Sequence, residues 1–173
     1  MVEAAVRWFG LRLDDPLMHV HLADARRWVA GDTGRYDLVQ LDVYQGSPYI
    51  PFYLVTAEFF RLVQIRMADD GLLMMNLFDL SESQELLLAT AATLRTVFPS
   101  VMVKSSFRGN HMLFAFTRSR SVESVRGQLE GPPILGATIG ITELKPPVST
   151  RTFTDDLAPV EEMTRRMLAP LHR

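Results

Sequence analysis

Two aspartates stand where an α/β protein would place groups that contact a ligand. Asp42 directly follows an apolar run, residues 38–41, and precedes a polar loop that contains a glycine, a serine and two prolines. Asp24 follows another short run, residues 18–22, and precedes a helical pattern. In open α/β sheets the ligand crevice lies outside the carboxyl ends of the strands. These carboxylates are therefore candidates to bind a ribose hydroxyl, an adenine amino group or a substrate amine.

Some of the acidic residues also have a purely structural interpretation. Asp24 comes just before a helix, where an aspartate commonly accepts hydrogen bonds from the free N–H groups of the first turn. Asp155 and Asp156 could form a carboxylate pair, but their position before Pro159 is typical of a helix start.

Other familiar sites are not predicted. His19 and His21 would share one side of a strand, but a third metal ligand is not evident, because the other two histidines are distant in the sequence. We therefore expect no metal. The glycine-rich dinucleotide motif and the Walker loop are absent. Neither Ser47 nor Ser105 lies in a nucleophile-elbow context.

Composition narrows the classes of function. The chain has 173 residues, 47% of them hydrophobic, which suits one domain, residues 1–173, with a substantial core. A net charge of −2 with scattered basic residues favours neither a nucleic-acid nor a membrane partner. No apolar run approaches the roughly 20 residues of a membrane helix. Cysteine is absent, which excludes disulfides and fits a reducing compartment, so we expect a cytoplasmic protein.

The spacing of apolar residues predicts alternating helices and strands, as in a layered α/β sheet. Residues 69–71 and 108–110 are predicted turns, the second joining an antiparallel hairpin. Residues 131–150, with four prolines, are predicted to be mostly loop. The predicted helices are 1–9, 26–29, 56–69, 81–97, 122–129 and 157–168, and the predicted strands are 18–22, 38–41, 72–77, 101–107 and 112–117.

Several segments, in order, resemble the spermidine synthases and spermidine-synthase-like proteins. Leu22-Ala23-Asp24-Ala25 is similar to the family's Gly-Asp-Ala motif, with Ala23 where glycine is usual. Residues 36–42, Tyr-Asp-Leu-Val-Gln-Leu-Asp, resemble its Tyr-Asp-hydrophobic-hydrophobic-x-Asp strand. Further matches are residues 2–10, residues 50–60, and residues 153–161, Phe-Thr-Asp-Asp-Leu-Ala-Pro-Val-Glu.

The resemblance implies a function and a set of roles. The reaction would be aminopropyl transfer from decarboxylated S-adenosylmethionine to an amine, and S-adenosylmethionine is the alternative co-substrate. Asp24 and Ala25 would bind the nucleoside beside its adenine. Asp42 would also contact the nucleoside and would act as the base for the attacking amine. Tyr44 and Gln45 would line the acceptor side.

The chain departs from the family pattern in two places. It lacks the family's first two strands, with the glycine-rich loop that holds the methionine part of the nucleoside. In addition, the family's Asp-Ser-Ser-Asp-Pro is Asp42-Val43-Tyr44-Gln45-Gly46 here, so a neutral amide replaces the second acid. The alternatives are therefore a non-catalytic interaction module, an incomplete gene product whose first strands lie upstream, and a methyltransferase-like protein.

The resemblance also implies the architecture. We expect a three-layer, partial Rossmann-like methyltransferase sheet, mostly parallel, with a C-terminal antiparallel hairpin and without the first two strands. Residues 18–22 would then pair with residues 38–41, complete a partner's sheet or lie loose. We expect either a closed-up five-stranded sheet or a homodimer that covers the exposed edge.

Overall fold

The computed structural model describes residues 2–46, 48–106, 109–128 and 140–169. The α-helices are α1 (Val2–Phe9), α2 (Ala25–Gly31), α3 (Ala57–Ile65), α4 (Glu85–Arg95), α5 (Val122–Gln128) and α6 (Val160–Leu168). The strands are β1 (Tyr36–Leu41), β2 (Met67–Phe78), β3 (Ser100–Ser105), β4 (Asn110–Phe116) and β5 (Ile141–Glu143). A short 3-10 helix, Phe52–Leu54, precedes α3. The chain is therefore a mixed α/β protein, as predicted.

The strands form one five-stranded sheet with the order β1-β2-β4-β3-β5. β1 and β2 are parallel, and the connection between them passes through α3, as parallel pairing requires. The predicted hairpin of β3 and β4 is antiparallel, and β4 lies between β2 and β3. Since β5 is also antiparallel to β3, three of the four pairings in the described sheet are antiparallel, and the expectation that the sheet would be mostly parallel is corrected.

The outer strands differ from the sequence prediction. Residues 18–22 form no strand and are exposed, so they do not pair with β1 in the single chain. The fifth strand is β5, within residues 131–150, which were predicted to be mostly loop; residues 131–139 of that stretch lie outside the described residues. The predicted turn at residues 69–71 lies instead within β2, at an irregularity in its pairing with β1: Tyr36 lies opposite Met67 and Leu38 opposite Leu72.

The main core lies on one face of the sheet. Alternate residues of β2 are buried there, namely Leu73, Met75 and Leu77. The helices α3, α4 and α6 contribute buried residues to the same cluster, among them Phe59, Phe60, Leu87, Leu94 and Val160. A smaller cluster of Met102, Val125 and Ile141 brings α5 together with β3 and β5.

Strand β1 has a free edge. It pairs with β2 and has no second partner strand within the described ranges. Leu41 is its one buried residue, whereas Leu38 is 52% exposed. β1 is therefore an edge strand in the described sheet, and its apolar run is only partly buried.

No helix in the described part of the chain is both long and apolar enough to cross a bilayer.

Candidate functional site

The parallel register of the first two strands builds the centre of the candidate site. Leu41 of β1 lies opposite Met75 of β2, so the next residues, Asp42 and Asn76, are neighbours at the carboxyl ends of the strands. The Asn76 side-chain Nδ2 donates a hydrogen bond of 3.2 Å to Asp42 Oδ1. Asp42 is exposed, so its carboxylate is oriented by one contact and remains open to a ligand.

Tyr44 joins the same group from the loop after β1. Its hydroxyl donates a hydrogen bond of 3.2 Å to the main-chain oxygen of Asn76. Burial, and next the negative charge of Asp42, raise the pKa of Tyr44 to about 12. The phenol is therefore uncharged at neutral pH and cannot itself pair with an ammonium group.

Asn76 is a functional candidate that the sequence did not reveal. The sequence marks it only as a polar residue within an apolar strand. That it lies beside Asp42 follows from the register of the two strands, which the sequence does not show. Its side-chain oxygen Oδ1 is buried and has no hydrogen-bond partner among the described residues. The amide therefore turns its NH₂ donor toward Asp42, and within the described part of the chain its buried oxygen is left unpaired.

Gln45 stands in a turn beyond this group. Its main-chain N–H donates to the oxygen of Tyr49 at 2.7 Å, and the N–H of Tyr49 donates back to the oxygen of Gly46 at 2.8 Å. Gly46 has a φ of +71°, which favours glycine. The Gln45 side chain is exposed, on the loop that begins at Asp42.

Asp24 belongs to a second hydrogen-bonded group. Its Oδ1 accepts from the main-chain N–H of Arg27 at 2.9 Å and so caps α2, as the structural interpretation predicted. Its Oδ2 accepts from the hydroxyl of Tyr53 at 3.0 Å. These hydrogen bonds, chiefly that from Arg27, hold the pKa of Asp24 below its ordinary value. Ala25 is half-buried against the main core.

The acidic pair near the C-terminus does not start a helix. Asp155 lies in a turn, and its carboxylate accepts two hydrogen bonds from the Arg26 guanidinium, at 2.7 and 2.5 Å. It also accepts from the hydroxyl of Thr56 at 2.7 Å, and Thr56 caps α3. The turn thus connects the starts of α2 and α3 to the C-terminal part of the chain.

The histidine pair is not assembled into a metal site. His19 and His21 are exposed, and the ring of His21 lies 5.3 Å from that of Trp28. Within the described ranges, no group of three or more His, Cys, Asp or Glu side chains is placed to hold a metal ion.

Comparison with known proteins relates this arrangement to a family. No protein-family model matches the chain. Over 76 residues it is 32% identical to a probable polyamine aminopropyl transferase of Bifidobacterium longum (strain NCC 2705). The solved structure of a probable spermidine synthase from Corynebacterium glutamicum ATCC 13032 superimposes with a TM-score of 0.68, at 18% identity, over 91% of this chain. The chain has the methyltransferase-type fold of the spermidine synthases.

The same fold occurs in a methyltransferase-like protein. Human methyltransferase-like protein 13, solved in complex with SAH, superimposes with a TM-score of 0.62 at 24% identity and over 73% of this chain. The predicted resemblance to spermidine-synthase-like proteins with this fold is therefore confirmed.

The matches cover only part of each relative. The chain spans 17% of the Bifidobacterium protein, and that match covers 43% of this chain. It spans 61% of the Corynebacterium synthase and 62% of the human protein.

Proposed function

We propose that this chain belongs to an aminopropyl transferase and takes part in transfer from decarboxylated S-adenosylmethionine to an amine. The observation that carries the proposal is Asp42, which is exposed at the end of β1 and oriented by Asn76. The sequence match to a probable polyamine aminopropyl transferase supports the same reaction class.

The chemistry needs little more than alignment and a base. The amine nitrogen attacks the carbon of the aminopropyl group that is attached to the sulfonium. The C–N bond forms as the C–S bond breaks, and methylthioadenosine leaves. Holding the two reactants in line lowers the barrier by removing most of the entropic cost of their encounter. Asp42 accepts the proton that the new ammonium group must lose.

The proposed roles of the other residues follow from their positions. The Asp24 carboxylate has both oxygens fixed by protein donors, yet it is exposed and each oxygen keeps a lone pair for the adenine amino group. Tyr44 and Gln45 belong to the acceptor side. Since Tyr44 is uncharged and Gln45 is an amide, Asp42 supplies the negative charge in this loop for an amine.

Two other functions start from the same fold. Methyl transfer from S-adenosylmethionine is supported by the likeness to human methyltransferase-like protein 13, solved with SAH, but the sequence match favours the aminopropyl reaction. A non-catalytic interaction module is favoured by the free edge of β1, which leaves the sheet incomplete on the side of the candidate site.

A homodimer would cover that edge. A cavity of about 210 Å³ lies against β1, and its wall is mostly apolar and aromatic, with one glutamine and one arginine. It is lined by Trp28, Val29, Tyr36, Leu38, Val39, Gln40, Val63 and Arg66. We include the homodimer in the proposal because a second chain would bury the exposed Leu38.

Isothermal titration with decarboxylated S-adenosylmethionine, S-adenosylmethionine and methylthioadenosine tests the proposal. We expect micromolar binding of the first, and its loss in Asp24→Ser, because serine preserves the helix cap but removes the carboxylate. Asp42→Asn should lower the transfer rate at saturating nucleoside by about 10²- to 10⁴-fold, the usual contribution of a general base.

Asp14→Asn is the matched control, because Asp14 is an exposed carboxylate whose described ion pair is with Arg12. It should leave binding and transfer unchanged. A folded protein that gives no heat with any of the three nucleosides would refute the enzymatic proposal and leave the interaction module.

A further inference from the structure

A chain of hydrogen bonds runs from the C-terminal turn to the Asp24 carboxylate. Asp155 holds the Arg26 guanidinium through both of its oxygens. Arg26 Nη1 also donates to the main-chain oxygen of Tyr53 at 3.1 Å. The hydroxyl of Tyr53 in turn donates to Asp24 Oδ2 at 3.0 Å. Thr56 donates to the same Asp155 carboxylate from the start of α3.

We infer that Asp155 is a positioning residue for the nucleoside site, acting through Arg26 and Tyr53 to fix the direction of the Asp24 carboxylate. The inference rests on the proposed function, in which Asp24 binds the adenine amino group. It assigns a role in ligand binding to a residue 131 positions away along the chain.

The geometry of the contacts favours positioning over a simple surface ion pair. The Arg26–Asp155 pair is bidentate, which fixes the plane of the guanidinium as well as its distance. The Arg26 side chain is 24% exposed, so the pair is partly shielded from water. The same guanidinium holds the main chain of Tyr53, so Arg26 connects the helix that Asp24 caps to the short 3-10 helix that precedes α3.

The result is a carboxylate with both oxygens oriented before a ligand arrives. Arg27 fixes Asp24 Oδ1 and Tyr53 fixes Oδ2, which leaves one defined direction on each oxygen for a further donor. An exposed carboxylate without the second contact could rotate. Orienting a group in advance improves affinity because less freedom is lost on binding.

The first test needs no ligand and follows the phenol of Tyr53. Its hydrogen bond to Asp24 raises the pKa of Tyr53 above the ordinary value, and Asp155 does not contribute directly. We expect Asp155→Asn to lower the pKa of Tyr53 toward that of a free tyrosine, measured by ¹³C NMR of tyrosine Cζ against pH. Arg26→Lys, which keeps the charge but loses the bidentate contact, should lower it as well.

Glu162→Gln is the matched control, because it removes a carboxylate that pairs with Arg165 on α6. It should leave the pKa of Tyr53 unchanged. Circular dichroism establishes that each variant is folded. If Tyr53 titrates identically in the wild type, Asp155→Asn and Arg26→Lys, the link from Asp155 to Asp24 does not exist and the inference is overturned.

The second test measures nucleoside affinity by isothermal titration with decarboxylated S-adenosylmethionine. Tyr53→Phe removes only the hydroxyl that orients Asp24, and the loss of one such hydrogen bond should weaken binding by about 2- to 10-fold. Asp155→Asn should weaken it in the same direction, and Glu162→Gln should not. Unchanged affinity in both variants overturns the inference even if Asp24→Ser abolishes binding.

The two tests distinguish a failure of the proposed function from a failure of the inference about Asp155. A wild type that binds no nucleoside refutes the proposed function, whereas the titration of Tyr53 still decides whether Asp155 controls the Asp24 carboxylate.

Discussion

An aspartate follows each of the neighbouring strands β1 and β2. Replacing it by asparagine should cost much stability after β2 and almost none after β1. Asp79, after β2, is 2% exposed, and Asp42, after β1, is exposed. Asp79 Oδ1 accepts from the main-chain N–H and the hydroxyl of Ser81, at 2.9 and 2.5 Å. Its Oδ2 accepts from the N–H of Leu87, in the first turn of α4, at 3.0 Å.

The contacts give the size of the effect. Asparagine at position 79 would turn an NH₂ group toward one of the N–H donors and leave that donor buried and unsatisfied, which costs about 1 to 3 kcal/mol. Losing the negative charge near the start of α4 adds about 0.3 to 1 kcal/mol. We therefore expect Asp79→Asn to lower the free energy of unfolding by about 1 to 4 kcal/mol.

Asp42→Asn should change the same free energy by less than about 0.5 kcal/mol, because the site is at the surface and asparagine keeps an acceptor for Asn76. Urea unfolding followed by circular dichroism measures both, with unchanged m-values as the check on two-state behaviour. In thermal unfolding each kcal/mol corresponds to about 2 to 4 °C in a chain of this size. Equal destabilisation by the two variants would refute the division into a structural and a functional carboxylate.

Two more predictions concern the segment around the C-terminal turn. Phe153 is fully buried, so Phe153→Ala should cost about 3 to 5 kcal/mol in urea unfolding, whereas Val148→Ala, at an exposed position, should cost almost nothing. Hydrogen bonds from Arg26 lower the pKa of Asp155, so their stabilisation is present above the unfolded-state value of about 3.9 and is lost as pH falls through the lower folded value. The stability difference between wild type and Asp155→Asn should therefore shrink below about pH 4; a difference that stays constant into acid would contradict this account.

Local signals in the sequence located much of the fold. Thr56 and Asp24 were placed at helix starts by residue type, and the side chain of each caps its helix. The apolar run at residues 72–77 predicted a strand, and the turn before β4 predicted a hairpin, because both patterns depend on neighbouring residues. The position of Asp42 at the end of a strand was also predictable for the same reason.

The structural features that the sequence did not predict depend on contacts between residues that are distant in the chain. Residues 18–22 have a strand-like pattern, but a segment becomes a strand only by pairing, and these residues lie exposed without pairing to the free edge of β1. β5 has only three residues, and it forms because β3 offers an edge. Asp155 and Arg26 are separated by 129 positions, and Asn76 meets Asp42 only through strand register. No local pattern encodes such contacts.

The free edge of β1 has a consequence for how this protein behaves at high concentration. Unpaired N–H and C=O groups along a strand can template the addition of any extended chain, which is how sheet proteins begin to aggregate. β1 counters this with an exposed charge at Asp37, beside the exposed Arg35. Charged side chains on an edge strand oppose indiscriminate stacking while leaving room for a partner whose own charges are complementary. The edge therefore discriminates among the strands that could join it.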